Sequence, residues 1–389
     1  MKKNLAGLVG CALAVSLTTN IYAAALTPGD LVVYQVGDGS YVLSNAAAVV
    51  YLDEYTTSGT LVQQIPMPTT SGGGQSALTA QGSATSEGLL TLSTDGSTVV
   101  LTGYGVAPSI TTYNPSTATA ATVGRVVGEV TVGTGAIDTS TVLNNVSSTS
   151  SVRGVASTDG TQLWVTGGAG AVSYATKGAS SGVQLSTTVS NLRGVGIFGG
   201  QLMVSDASGS TVRIGAVGSG LPTTAGQTIT ALPGTTGALP SGPYAFTQIS
   251  LAGTGSPAGP NTMYVANDGA NTVEKWSLVG SSWTLTGTEA VTAPRGITTS
   301  IDGSGYAHVF VTQGSASTST TLNGVSNIVM FVDSSGYDGT FSATASTIVQ
   351  LPAGEQFRGI AYIVPEPSTV ALVGAGVLGM LAIRRRRRS

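Results

Sequence analysis

Four arginines carry the most pointed chemistry in this sequence. Each stands directly before a glycine and an aliphatic residue, as Arg153-Gly154-Val155, Arg193-Gly194-Val195, Arg295-Gly296-Ile297 and Arg358-Gly359-Ile360. Each segment reads as the start of a short strand. A guanidinium presents its donors as a rigid planar fork that matches a carboxylate. If the four strands surround a common axis, the arginines form a partial basic ring at one mouth. Such a ring suits carboxylates or an acidic polysaccharide. The plainer reading has each arginine hydrogen-bonding loop carbonyls or an acid of the neighbouring repeat.

Other chemistry is sparse. The single histidine, His308, sits in an alternating strand and reads as a strand residue rather than a ligand. No Cys/His cluster exists for zinc. No Gly-x-Ser-x-Gly context offers a serine nucleophile. Asp95, Asp159, Asp268 and Asp302 each precede a glycine. Asp-Gly is a preferred hairpin turn, and none of the four has the alternating spacing of a calcium loop. No catalytic residue, metal ligand or cofactor is therefore assigned. An enzyme would have to gather acids such as Glu87, Asp206 or Asp268 at one mouth.

Strands must position these residues. Charged residues make up only 8% of the 389, while hydrophobic residues make up 41% and glycines number 55. Short β-branched runs bounded by Gly, Asp, Asn and Ser give an all-β signature, and no stretch has convincing helical periodicity. The body between the two chain ends carries eight basic against 17 acidic residues, a formal −9. Nucleic acid is an unfavourable partner for such a surface.

Internal repeats then set the architecture. The arginine segments recur with a turn and a second strand, as in Gln162-Leu163-Trp164-Val165 and Gln201-Leu202-Met203-Val204. Looser copies start at Glu87-Gly88-Leu89 and at Phe246. The spacing leaves room for four strands per repeat, the unit of a β-propeller. The last copy, at Arg358, is a lone strand. The N-terminal part supplies three strands, over 31–36, 49–55 and 60–65, without a first one. Together the two ends make one blade. The sequence thus predicts a six-bladed propeller closed by N- and C-terminal strands. A β-helix or β-sandwich is the alternative. Tyr264-Val265-Ala266-Asn267-Asp268, with Asn271 to Trp276, resembles segments of NHL and YncE-like β-propellers.

Both chain ends read as targeting segments. Lys2 and Lys3, an apolar run over 5–17 and small residues at Ala23, Ala24 and Ala25 form a secretory signal over 1–25. The only cysteine, Cys11, lies inside it, so the mature body has no disulfide. At the other end, Pro365-Glu366-Pro367 leads into an apolar run and then Arg384, Arg385, Arg386, Arg387 and Arg388. As a helix, residues 369–383 span about 22 Å. That is short of the roughly 30 Å hydrocarbon core, yet crossing is achievable by snorkelling and local thinning. The arginines mark the cytoplasmic side. This order of parts resembles the PEP-CTERM sorting signal of exosortase-processed bacterial surface proteins.

The chain accordingly divides into a signal peptide (1–25), a propeller (26–363) and a sorting signal (364–389). The N-terminal signal implies the Sec translocon and signal peptidase. The resemblance implies an exosortase, a transient inner-membrane anchor and a final place at the cell surface or in the extracellular matrix, with exopolysaccharide or biofilm. The propeller reads as a non-catalytic binding or scaffold module. Two alternatives are a lyase- or lactonase-type propeller enzyme acting on sugars, and a self-assembling glycosylated structural surface protein.

Overall fold

A computed structural model describes residues 23–109, 113–207, 212–236, 242–314 and 326–365. Most of the expected signal peptide, together with Glu366, Pro367, the apolar run 369–383 and the arginine tail 384–388, lies outside these residues. Among the described residues no helix is long and apolar enough to cross a membrane.

Six four-stranded antiparallel sheets form the blades of a propeller. Blade 1 joins both chain ends. Its innermost strand is Gln356–Tyr362, followed outward by Leu31–Val36, Val50–Tyr55 and Leu61–Pro66. The other innermost strands are Leu90–Leu92 in blade 2, Val152–Ser157 in blade 3 and Leu192–Phe198 in blade 4. Blades 5 and 6 begin with Pro243–Ile249 and Pro294–Ile301. Each inner strand packs against the next, and Gln356–Tyr362 touches the inner strands of both blade 6 and blade 2. The ring is closed, with the expected division of blade 1 into three strands and one.

The strand sequences explain the stacking. A middle strand of a blade has a neighbouring blade on each face, so both of its faces are buried. Thr98–Tyr104 is buried at all seven positions. The outermost strand Leu61–Pro66 is mostly exposed. Six apolar clusters fill the six interfaces between blades, with Trp164 between blades 3 and 4 and Trp276 between blades 4 and 5. Burying a side chain of this kind contributes roughly 1.5–3 kcal/mol.

The Arg-Gly segments have a packing role that their sequence does not announce. A Cβ on Gly296 would lie 2.6 Å from the Arg358 carbonyl oxygen of the next blade, and one on Gly194 would lie 3.0 Å from that of Tyr244. Glycine lets adjacent inner strands approach this closely. Hydroxyls on the second strands secure the contact. Ser205 Oγ accepts from Gly194 N at 2.7 Å and donates to Tyr244 O at 2.6 Å. Thr312 Oγ1 accepts from Gly296 N and donates to Arg358 O. Thr166 donates to Arg193 O at 2.7 Å.

Candidate functional site

The four arginines stand at equivalent positions of the inner strands, at one end of the ring. Between each pair of first and second strands in blades 1, 3, 4, 5 and 6 the register shifts there, forming a bulge. A bulge re-aims the side chain it carries. The six positions are Arg358, Glu87, Arg153, Arg193, Tyr244 and Arg295, from blade 1 to blade 6. Tyr244 was not legible as a site residue, because its repeat lacks the Arg-Gly pair. Aligning Tyr244-Ala245-Phe246 with Arg193-Gly194-Val195 locates it. The expected start of that copy at Phe246 is thereby moved to the strand Pro243–Ile249.

These side chains converge. Arg193 and Arg295 lie over the Tyr244 ring, 4.9 and 5.0 Å from its centroid. Both donate to Asp268 Oδ2, at 3.1 and 2.5 Å. Asp268 comes from the turn between the second and third strands of blade 5, which faces the same end. Burial raises the Tyr244 hydroxyl, and Arg295, Arg193, Arg358 and Arg153 all act on it in the opposite direction. Arg153 Nη1 donates to Asn191 Oδ1 at 2.6 Å and to Leu192 O at 3.1 Å. Burial, and next Arg193, push its guanidinium down to about 10. Arg358 Nη2 donates to the carbonyls of Gln81 and Gly82. Those carbonyls belong to the segment between blades 1 and 2, whose Ala80–Gln81 pairs with Ala47–Ala48.

Glu87 is 2% exposed beside Arg358. Burial raises its carboxyl, opposed by Arg358. Asp206 is buried at the end of the strand Gln201–Asp206. Glu87 and Asp268 thus share the mouth, and Asp268 is engaged by guanidiniums. Among the described residues, no three His, Cys, Asp or Glu side chains cluster as a metal site requires. The other Asp-Gly aspartates act as turn caps. Asp159 accepts from Thr161 N at 2.8 Å, and Asp302 from Ser304 N at 2.8 Å. His308 Nε2 lies 3.2 Å from Asp302 Oδ2, half-buried on the far side of blade 6.

Beyond the arginines the inner strands enclose a channel of about 570 Å³. Gly154, Gly194 and Gly296, each directly after a ring arginine, line its arginine end. Leu92, Ile197, Phe246, Ile297 and Ile360 make its wall apolar. Val364 also lines it, where the chain leaves the ring after the closing strand.

Residues 364–387 match the family model described as the PEP-CTERM protein-sorting motif. The C-terminus of this chain is a PEP-CTERM sorting motif. Such a motif marks a protein for export, membrane-associated sorting and recognition by an exosortase. The PEP-CTERM motif starts one residue after Ile363, whose N–H donates to Asp30 O at 2.9 Å and whose carbonyl accepts from Gly29 N at 2.8 Å. No curated protein matches the chain. Among solved structures, the nidogen/laminin complex is similar at 12% identity, over 85% of this chain and 97% of that one, with a TM-score of 0.49. A putative 6-phosphogluconolactonase of Bacteroides fragilis has 13% identity over 85% and 84%, with a TM-score of 0.45. The periplasmic gluconolactonase of Pseudomonas aeruginosa has 14% identity over 84% and 99%, with a TM-score of 0.40. The six-bladed ring follows from the strand pairing of this chain itself.

Proposed function

We propose that this exported protein is held in the inner membrane by its C-terminal apolar run and cut by an exosortase at or near Pro365-Glu366-Pro367. It is then displayed at the cell surface or in the extracellular matrix. The propeller, residues 26–363, serves there as a non-catalytic binding or scaffold module associated with exopolysaccharide, and residues 1–25 are removed as a signal peptide. One observation carries the reading: the PEP-CTERM motif begins directly after the closing strand of blade 1. A cut at or near Pro365-Glu366-Pro367 falls after the last blade strand among the described residues, Gln356–Tyr362. Mass spectrometry of the surface-released protein tests it. The expected product ends near Pro367 and lacks Arg384–388. A released product that retains those arginines overturns the processing step.

A propeller enzyme acting on sugars is the second reading. It is favoured by Glu87, a buried carboxyl raised by its surroundings at the arginine mouth, the state that suits a general acid. Turnover of a sugar lactone or uronide polymer that disappears in Glu87→Gln, with the fold intact, would support it.

A further inference from the structure

We infer that the arginine mouth is a binding site for a single carboxylate group, gripped by guanidiniums from four blades. The inference deepens the reading of the propeller as a binding module and rests on it. It names the chemical group that the module holds.

Charge is the first argument. Among the described residues, Asp268 pairs with Arg193 and Arg295, and Glu87 lies beside Arg358. The hydrogen bonds of Arg153 and Arg358 go to neutral groups, Asn191 Oδ1 and the carbonyls of Leu192, Gln81 and Gly82. Three of the four arginines are nine-tenths or more buried: Arg153 at 8%, Arg295 at 6% and Arg358 at 2% exposure. Buried cations are stable only when paired.

Unused donors are the second argument. Nε of all four arginines, and Nη1 of Arg358, are buried without a hydrogen-bond partner. Arg125 provides an internal contrast. It is also fully buried and also stacked on a tyrosine, 5.1 Å from the Tyr104 centroid. Its guanidinium is satisfied by the carbonyls of Val123, Ala118 and Ser147, with no nitrogen left over. The fold can therefore saturate a buried arginine with its own backbone, and at the mouth it does not.

Shape is the third argument. Arg193 and Arg295 lie over the Tyr244 ring and share Asp268, and Arg358 and Arg153 act on the same tyrosine hydroxyl. A single planar oxyanion at the end of a sugar or organic acid fits the forks.

The test is calorimetric titration of the detergent-solubilised full chain at fixed ionic strength. The probes are acetate, D-galacturonate, the uncharged D-galactose and inorganic phosphate. The expected result is saturable binding of acetate and D-galacturonate and none of D-galactose. Arg193→Gln, at the most exposed of the four, weakens binding by roughly tenfold or more, as loss of a charge-assisted contact should, and Arg193→Lys recovers part of it. Arg153→Gln, checked for cooperative unfolding, does the same. No carboxylate binding by the folded chain overturns the inference, as does binding indifferent to both variants or binding of phosphate alone. The sorting reading is judged separately by the mass of the released product, so either can fail without the other.

Discussion

Lys275 of blade 5 and Asp333 of blade 6 meet at 2.7 Å, with side-chain exposures of 0% and 1%. Tyr264 donates to the same carboxylate, and Lys275 also donates to Ser335 Oγ and Gly336 O at 2.7 Å each. Burial alone would raise Asp333, but Lys275, Ser335 and Tyr264 together hold its carboxyl below the usual range. Two blades are thus fastened by an ion pair that water does not reach. Lys275→Met should cost about 3–5 kcal/mol, because it strands a buried carboxylate. The double variant Lys275→Met/Asp333→Leu should regain much of that loss. Urea midpoints of the three proteins check both outcomes.

Gly296 and Gly359, each directly after a ring arginine, should be intolerant for a steric reason. A Cβ at Gly296 meets backbone of blade 1 at 2.6 and 2.8 Å. Gly296→Ala should therefore destabilise the ring by about 1–3 kcal/mol, as overpacking does. Gly303, in the hairpin turn of the same blade, has nothing within 4 Å of its Cβ position. Gly303→Ala should leave the thermal midpoint nearly unchanged.

Asp53 gives a pH dependence of known sign. It is 1% exposed, and burial pushes its carboxyl up to about 6, opposed by hydrogen bonds from Gln64 and Tyr55 and reinforced by Glu355. Between its unfolded value of about 3.9 and about 6, the native state holds the proton more tightly than the unfolded chain. Stability contributed by Asp53 is therefore present below that window and lost as pH rises through it, by up to roughly 3 kcal/mol. Asp53→Asn should flatten this part of the profile. A wild-type and variant pair of stability curves from pH 4 to 7 that run parallel would contradict it.

Closure of the ring depends on the strand Gln356–Tyr362. A chain ending after Pro365 should unfold cooperatively, like the processed protein. A chain ending after Glu355 should lose cooperativity and aggregate, because Leu31–Val36 becomes an open edge of fully buried residues. Circular dichroism and size-exclusion chromatography of the two truncations distinguish these outcomes.

The blade count was legible because strand pairing is written locally. Period-two runs, Asp-Gly turns and the recurring Arg-Gly start are all short-range signals. The three strands at one end and one at the other needed each other, which settled the closure. Val273 and Trp276, in the segment that resembles NHL and YncE-like propellers, are 0% and 1% exposed. Tyr244 escaped notice because neither its type nor its neighbour matched the repeat. The role of Asp268 was hidden because an Asp-Gly pair suffices to make a turn, and nothing local marks the one turn whose aspartate reaches across to two other blades.

The sequence by itself determined the class of fold, the six repeats, the chain ends that meet in blade 1 and the sorting motif, all properties of contiguous segments. Only the tertiary structure decided what the arginines face. Arg193 and Arg295 are 102 residues apart in number, yet they share one carboxylate and one tyrosine ring. That meeting depends on the bulge that turns each side chain and on the glycine that lets neighbouring strands close in. Burial, charge balance and unused donors are sums over many blades, and no single repeat contains them.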